Sequence, residues 1–159
     1  MWLGPLGVGL LRAGILVRRQ RQPAPQDAQI EELQDRWMAE LGSAAVHHLL
    51  PTPVGRVHVI EVGTGPEVVV FLNGLATSSG EYAALLAELA LRYRVPAIDR
   101  PGCGLSDPVS FSGHPRTAWN RVMASVADQL GLQSFGIVGH SLEGLAAGAF
   151  AIHAPERVR

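Results

Sequence analysis

The chain has no lysine. All 13 basic residues are arginine, and with abundant alanine, glycine and valine this reads as codon bias rather than function. Cysteine is nearly absent: Cys103 is the single one. An internal disulfide is therefore excluded, and a reducing compartment fits. Charge is sparse, at 17 % of residues with a formal net charge of -1. Apart from Arg18, Arg19 and Arg21 there is no basic stripe, so nucleic acid is not an expected partner. Phosphate-cradling glycine loops are missing too. Gly63, Gly65, Gly102 and Gly104 fit neither G-x-G-x-x-G nor G-x-x-x-x-G-K-[ST], and no cofactor is expected. What the chain does have is apolar content, 47 % of its 159 residues, with a mean hydropathy of +0.17. That excludes disorder and allows one domain with a real core.

Residues 2–17 are apolar except for Arg12, and the arginines follow rather than precede them. A secretory signal has the opposite order. Sixteen helical residues reach about 24 Å at ~1.5 Å each, short of a hydrocarbon core of ~30 Å. The expectation is a cytoplasmic chain whose N-terminal segment packs on a partner or is loosely ordered, with a membrane-surface or short anchor segment as the alternative. Gln22–Gln26, with two prolines, reads as a linker. Ile30, Leu33, Trp37 and Leu41 then recur at helical spacing and define an amphipathic packing face. Residues 1–44 form an N-terminal extension on this reading, and 45–159 the main domain.

Within that domain Val46–Leu50 and Arg56–Val62 read as strands joined by a turn at Pro51–Gly55. Gly63–Pro66 is a second turn. Glu67–Leu72 is a continuous apolar run suited to a sheet covered on both faces. Ser78 and Glu81 have capping-box spacing ahead of a helix with Tyr82, Leu85, Leu86 and Leu89. Tyr93–Ile98 is a strand in which Pro96 removes a ladder donor. Thr117 is placed to cap a helix carrying Trp119, Val122, Met123, Val126 and Leu130, with Gly131 as its stop. Ser134–Val138 is a short apolar strand, and a small-residue helix runs from Leu142. A hairpin followed by alternating strands and helices is an α/β layered fold with a mostly parallel sheet.

Chemistry concentrates at Gly139-His140-Ser141-Leu142-Glu143-Gly144. A serine between glycines, after a strand and before a helix, reads as a nucleophile elbow, although G-x-S-x-G places glycine where Glu143 stands. Upstream lie Phe71-Leu72-Asn73-Gly74-Leu75, after the third strand, and Asp99-Arg100-Pro101-Gly102-Cys103-Gly104-Leu105-Ser106-Asp107, after the fourth. With these three motifs in order, Ala45 to Arg159 resembles the N-terminal part of the α/β-hydrolase superfamily, Ser-nucleophile branch. The resemblance implies Ser141 as nucleophile and the backbone N–H groups of Leu75 and Leu142 as oxyanion-hole donors. It implies cofactor-free hydrolysis of a small-molecule ester or related acyl bond through an acyl-enzyme. Peptidase, lactonase, carbon–carbon hydrolase and haloperoxidase-like activities stay open. Asn73 stands where the family usually has His, which leaves backbone donors intact. Ala154-Pro155-Glu156-Arg157-Val158-Arg159 resembles the helix end before the family's sixth strand.

The family's triad order, Ser then acid then His, puts the last two members on strands beyond Arg159. The sheet is accordingly expected to be truncated after the helix that follows the nucleophile. No local residue substitutes. The elbow turns His140 away, and His153 is about 18 Å along a helix at ~1.5 Å per residue. The chain alone is expected to show no turnover. A non-catalytic remnant or interaction protein on a hydrolase scaffold is the alternative. Glu143 is either a second site carboxylate or a lesion that overpacks the elbow, in which case Glu143→Gly should stabilise. Cys103 reads as a partly buried, inert thiol. His47, His48 and His114 have no partner pattern, and no metal site is expected. The strand at Ser134–Val138 carries neither charge nor proline on its edge, so the chain is expected to associate.

Overall fold

In a computed structural model the described residues are 24–109 and 115–159. The expectations for residues 2–17 and for His114 lie outside them. Five strands form one sheet in the order β1-β2-β4-β3-β5. They are β1 (Ala45–Thr52), β2 (Gly55–Val62), β3 (Glu67–Leu72), β4 (Tyr93–Ile98) and β5 (Gly136–Gly139). The β1–β2 and β2–β4 pairs are antiparallel, and β3 runs parallel to both β4 and β5. Among the described residues four helices flank the sheet: α1 (Pro25–Glu40), α2 (Ala83–Ala90), α3 (Pro115–Gln129) and α4 (Leu142–His153). The result is a mixed α/β layered domain whose parallel half carries the site.

α1 starts inside the segment read as a linker. Pro25 is at its head, where a missing N–H costs nothing, and the Ala24 N–H donates to the Asp27 carboxylate at 2.8 Å. Its buried face is also not the one the apolar spacing indicated. Ile30, Trp37 and Leu41 are 40, 37 and 48 % exposed, while Gln34 and Met38 are buried. The reason is a close approach. Gln34 packs so tightly on Gly80 that a Cβ there would lie 2.6 Å from the Gln34 amide nitrogen. A glycine at 80 leaves the room that the Gln34 side chain fills, and with it this helix face, rather than the more apolar one, meets the domain.

The hairpin turn shrinks from the expected five residues to Pro53–Val54, since Thr52 already pairs with Gly55 and the Thr52 hydroxyl donates to the Gly55 carbonyl at 2.6 Å. Pro96 sits in a central strand. The β3–β4 ladder pairs Val68 with Arg94 and Phe71 with Ala97 but is interrupted between them, where proline offers no N–H. Ahead of α2, Ser78 and Glu81 do form the expected capping contact, with the Ser78 N–H donating to the Glu81 carboxylate at 2.7 Å. The element it caps is a 3-10 turn, Ser79–Tyr82, that leads into α2.

α3 begins at Pro115, so Thr117 is an exposed helical residue and not a cap. Its far end follows the expected form. Gly131 has φ +69°, and the Leu132 N–H closes on the Ala127 carbonyl at 2.8 Å, as in a Schellman motif. The two faces of the sheet hold separate cores. One contains Met38, Ile60, Phe71, Leu86 and Val95 under α1 and α2. The other contains Val70, Leu72, Trp119, Val122, Phe135 and Phe150 under α3 and α4. Beyond β5, Val158 already bridges Phe135 in parallel, so the sixth-strand position is entered one residue before Arg159 rather than after it.

Candidate active site at the ends of β3 and β5

β3 and β5 lie side by side and end level, Leu72 opposite Gly139. The chain leaves them in two neighbouring loops at the ends of parallel strands, the edge where open α/β sheets place their ligands. Leu75 is the third residue beyond Leu72, and Leu142 the third beyond Gly139. Between them stands Ser141, exposed, with φ +56° and ψ -123°. A non-glycine residue at positive φ is strained, and the strain here lifts the serine out of the strand. Leu142 opens α4, so its N–H lies at the positive end of the helix dipole. The tight backbone approach at the elbow is made by Gly139. A Cβ there would lie 2.1 Å from the carbonyl oxygen of residue 143.

The loop after β3 is fixed by residues whose importance the sequence reading did not see. Asn73 is fully buried. Its amide donates to the Thr77 carbonyl, and its oxygen accepts the Arg100 N–H at 2.8 Å. Asn73 thus clamps the Leu75 loop to the loop after β4. Tyr82 accepts the Gly74 N–H at 3.4 Å and meets His140 Nδ1 at 2.8 Å. His140 also lies so near Gly74 that a Cβ there would come within 2.7 Å of Nδ1. His140 is therefore turned away from Ser141, as expected, and its role is to join the two loops.

The second motif is a scaffold built around Asp99. This carboxylate is fully buried. It accepts the N–H of Ser79 at 2.6 Å and of Leu105 at 3.0 Å, and contacts His58 Nδ1 at 2.8 Å. Gly104 has φ +52°, and a Cβ there would lie 2.1 Å from the same carboxylate. Asp107 closes the loop on the hairpin, with Arg56 Nη2 at 2.8 Å and Nε at 3.0 Å; these bonds to Asp107 raise the Arg56 pKa. Cys103 is half-buried and free.

Glu143 is 1 % exposed and pairs with Arg100. Burial pushes its carboxyl above the ordinary value, against the pull of Arg100. Its Oε2 and Trp119 Nε1 nevertheless lack a hydrogen-bond partner among the described residues. The cost of glutamate at this motif position is thus electrostatic, not only a matter of bulk. An apolar cavity of about 620 Å³ lies along α4, lined by Leu142, Glu143, Leu145, Ile152 and Trp119 among others. Ser141 and Leu75 do not line it, and we do not assign it to substrate. His153 is exposed in the last turn of α4, and among the described residues no imidazole hydrogen-bonds the Ser141 hydroxyl. His47, for which the sequence offered no partner, has two: His58 at 2.8 Å and Asp35 at 3.2 Å.

A 2-hydroxy-6-oxononadienedioate/2-hydroxy-6-oxononatrienedioate hydrolase of Cupriavidus pinatubonensis is 36 % identical over 107 residues, 65 % of this chain and 37 % of that protein. Among solved structures, naproxen esterase (carboxylesterase NP) from Bacillus subtilis superposes with a TM-score of 0.72 at 27 % identity, covering 86 % of this chain and 49 % of that one. An epoxide hydrolase from an endophytic Streptomyces gives a TM-score of 0.66 at 32 % identity over 72 % of this chain and 35 % of its own. The chain thus spans between about a third and a half of the length of these relatives. The family model described as alpha/beta hydrolase fold matches residues 67–159, more than half of the chain and the stretch that holds all three motifs, and the chain belongs to that family.

Proposed function

We propose that this chain carries the nucleophile and oxyanion half of a serine-dependent hydrolase acting on an ester or related acyl bond. Ser141 attacks the carbonyl carbon, and the backbone N–H groups of Leu75 and Leu142 receive the negative charge that develops on its oxygen. The observation that supports this most is the conformation of Ser141, strained at positive φ between the level ends of two parallel strands. Two fixed donors at such a site matter because each contributes ~3–4 kcal/mol to the transition state. The general base and its acid are not supplied by His140, which is bound to Tyr82, or by His153. The much longer relatives fit a reading in which those groups belong to sequence outside these 159 residues. Names among the relatives span a dienedioate hydrolase, an esterase and epoxide hydrolases, which agrees on hydrolysis and leaves the bond open.

The test separates the nucleophile from turnover. The full chain is incubated with p-nitrophenyl acetate and digested, and the peptide containing residues 139–144 is sequenced by mass spectrometry. The expected result is slow acetylation at Ser141, absent in Ser141→Ala, with no sustained release of p-nitrophenolate above the ~10³–10⁴-fold residual enhancement seen when triad members are missing. Acetylation that is absent, or equal in Ser141→Ala, would overturn the assignment and favour an interaction protein on a hydrolase scaffold. Robust turnover lost in Ser141→Ala would mean that a base acts within this chain.

A further inference from the structure

Four side chains, one each from α1, β1, β2 and the loop after β4, stand in a row on the α1 side of the sheet. Asp35 Oδ1 is 3.2 Å from His47 Nε2, His47 Nδ1 is 2.8 Å from His58 Nε2, and His58 Nδ1 is 2.8 Å from Asp99 Oδ2. Each of these contacts needs one hydrogen. A neutral imidazole has one N–H, and a carboxylate has none to give. The outer contacts, to the two acids, take both N–H groups. Asp99 in particular is already an acceptor for two backbone N–H groups. His47 Nδ1 and His58 Nε2 are then left facing each other as two lone pairs at hydrogen-bond distance. A positive centre belongs between them.

We propose that these two ring nitrogens, with the Glu31 carboxylate, bind a divalent cation of the Zn²⁺ class. One ligand atom from each of Glu31, His47 and His58 lies within 4.8 Å of the others. Tetrahedral ligands ~2.0–2.1 Å from zinc stand about 3.3 Å apart, so the imidazoles part by a few tenths of an ångström and Glu31 draws in. Two imidazoles and a carboxylate suit zinc, and water completes the four. The outward nitrogen of each histidine meets a carboxylate, Asp99 for His58 and Asp35 for His47. That arrangement fixes ring orientation and tautomer and strengthens the ligand in histidine metal sites. The fold explains why the groups meet. Glu31 and Asp35 are one turn apart on α1 and share a face. His47 and His58 are diagonal neighbours on one face of the hairpin, since His47 pairs with Ile60 and Leu49 with His58. His58 is buried and Asp35 is open to solvent, which gives an entry path from the α1 side. The ion's role is structural: it ties α1 to the hairpin and, through Asp99, to the loop after β4.

The full chain, stripped with a chelator, is titrated with Co²⁺ and then Zn²⁺. The expected result is one equivalent of Co²⁺ with the visible d–d absorption of a tetrahedral site, displaced by Zn²⁺, and a higher melting temperature with Zn²⁺ bound. His47→Gln should abolish the spectrum and the shift in melting temperature. Asp35→Asn, on an exposed side chain, should weaken binding ~10–100-fold with an unchanged circular dichroism spectrum. His153→Gln, at an exposed histidine on α4, should bind as the parent does. No uptake by the parent chain would overturn the proposal and leave a shared proton in the central contact. A spectrum that survives both His47→Gln and Glu31→Gln would overturn it equally.

Discussion

The loop after β4 and the elbow after β5 each bury a carboxylate at the end of a parallel strand, yet their surroundings differ. Asp99 has three donors arranged around it, a glycine that exists to make room for it, and a neighbour, Asp107, that bonds the loop to the hairpin. Glu143 has one partner, Arg100, and an oxygen with none. Beside it α4 leaves Leu145 and Ile152 74 and 84 % exposed. Burial alone therefore distinguishes nothing here. The number of partners does: the first carboxylate organises its loop, and the second is tolerated by its helix.

The largest test of that difference is Asp99→Asn. An amide keeps one acceptor oxygen where three donors converge, so at least one buried N–H would face an NH₂ group. Hydrogen bonds to a charged acceptor contribute ~1.5–3 kcal/mol each, and a buried donor left unpaired costs ~1–3 kcal/mol, so the denaturation midpoint should fall or folding should fail. A loss under about 1 kcal/mol, of the size of one ordinary hydrogen bond, would remove Asp99 from the centre of the scaffold.

Gly139→Ala comes next and probes the elbow from its backbone. The new methyl would meet the carbonyl of residue 143 at 2.1 Å, against main chain that cannot rotate away. Overpacking costs typically ~1–3 kcal/mol, and urea denaturation should show a loss at the upper end of that range. Gly144→Ala serves as the contrast. Its Cβ would sit 3.4 Å from the nearest atom outside the local helix, and alanine is favoured in helices by ~1 kcal/mol, so a neutral or stabilising result is expected.

What the sequence revealed and what it hid divide along physical lines. Strands β3 and β4 were legible to the residue, because each is a short, mostly apolar run rich in β-branched or aromatic residues and set between turn or helix signals. The strand-end positions of Leu75 and of Ser141 and Leu142, beyond β3 and β5, followed from local patterns, while their roles come from the family resemblance. The face of α1 was misread, since the side that docks packs Gln34 against Gly80, a contact remote in sequence. Thr117 was misread as a cap because Pro115 can also open a helix. The contacts of Asn73 with Arg100, and of His47 with His58, carry no local signature: the first depends on strand order, the second on the register of the hairpin. A buried polar residue beside a motif, such as Asn73, was the one signal that could have been followed.

A smaller effect is expected from Glu143→Gln, read as a pH profile. The folded carboxyl is raised by burial above its ordinary value of 4.5. Below that value both folded and unfolded chains are protonated, and the group costs nothing. As pH rises from there through the folded value, the unfolded chain ionises first, and the parent loses stability. Glutamine does not titrate. The stability of the variant relative to the parent should therefore grow across that window and level off above it, by about 1 kcal/mol, the scale of one unsatisfied buried group. A flat difference, or one that shrinks with pH, would show that the Arg100 pair outweighs burial, and the contrast with Asp99 would weaken.

The smallest change in stability should come from Val138→Lys, and it sharpens the contrast at the sheet edge. β5 pairs with β3 on one side. On its other side the described contact is the bridge from Phe135 to Val158, which lies before the strand proper. Val138 is 44 % exposed, and no charge or proline guards Gly136–Gly139. An apolar edge with unpaired N–H and C=O groups is a template for another chain, and the exposed leucine and isoleucine of α4 add an apolar patch beside it. Lysine at an edge position opposes such pairing by charge and hydration. Its effect on the monomer should stay within about 0.5 kcal/mol, as for most surface substitutions. The reading is oligomeric state, by size-exclusion chromatography with light scattering over a range of concentrations. The parent should associate with increasing concentration, and Val138→Lys should shift it toward monomer. A parent that runs as a monodisperse, cooperatively melting monomer would mean that the edge of β5 is covered. The open half of the site would then be as closed as the half built around Asp99.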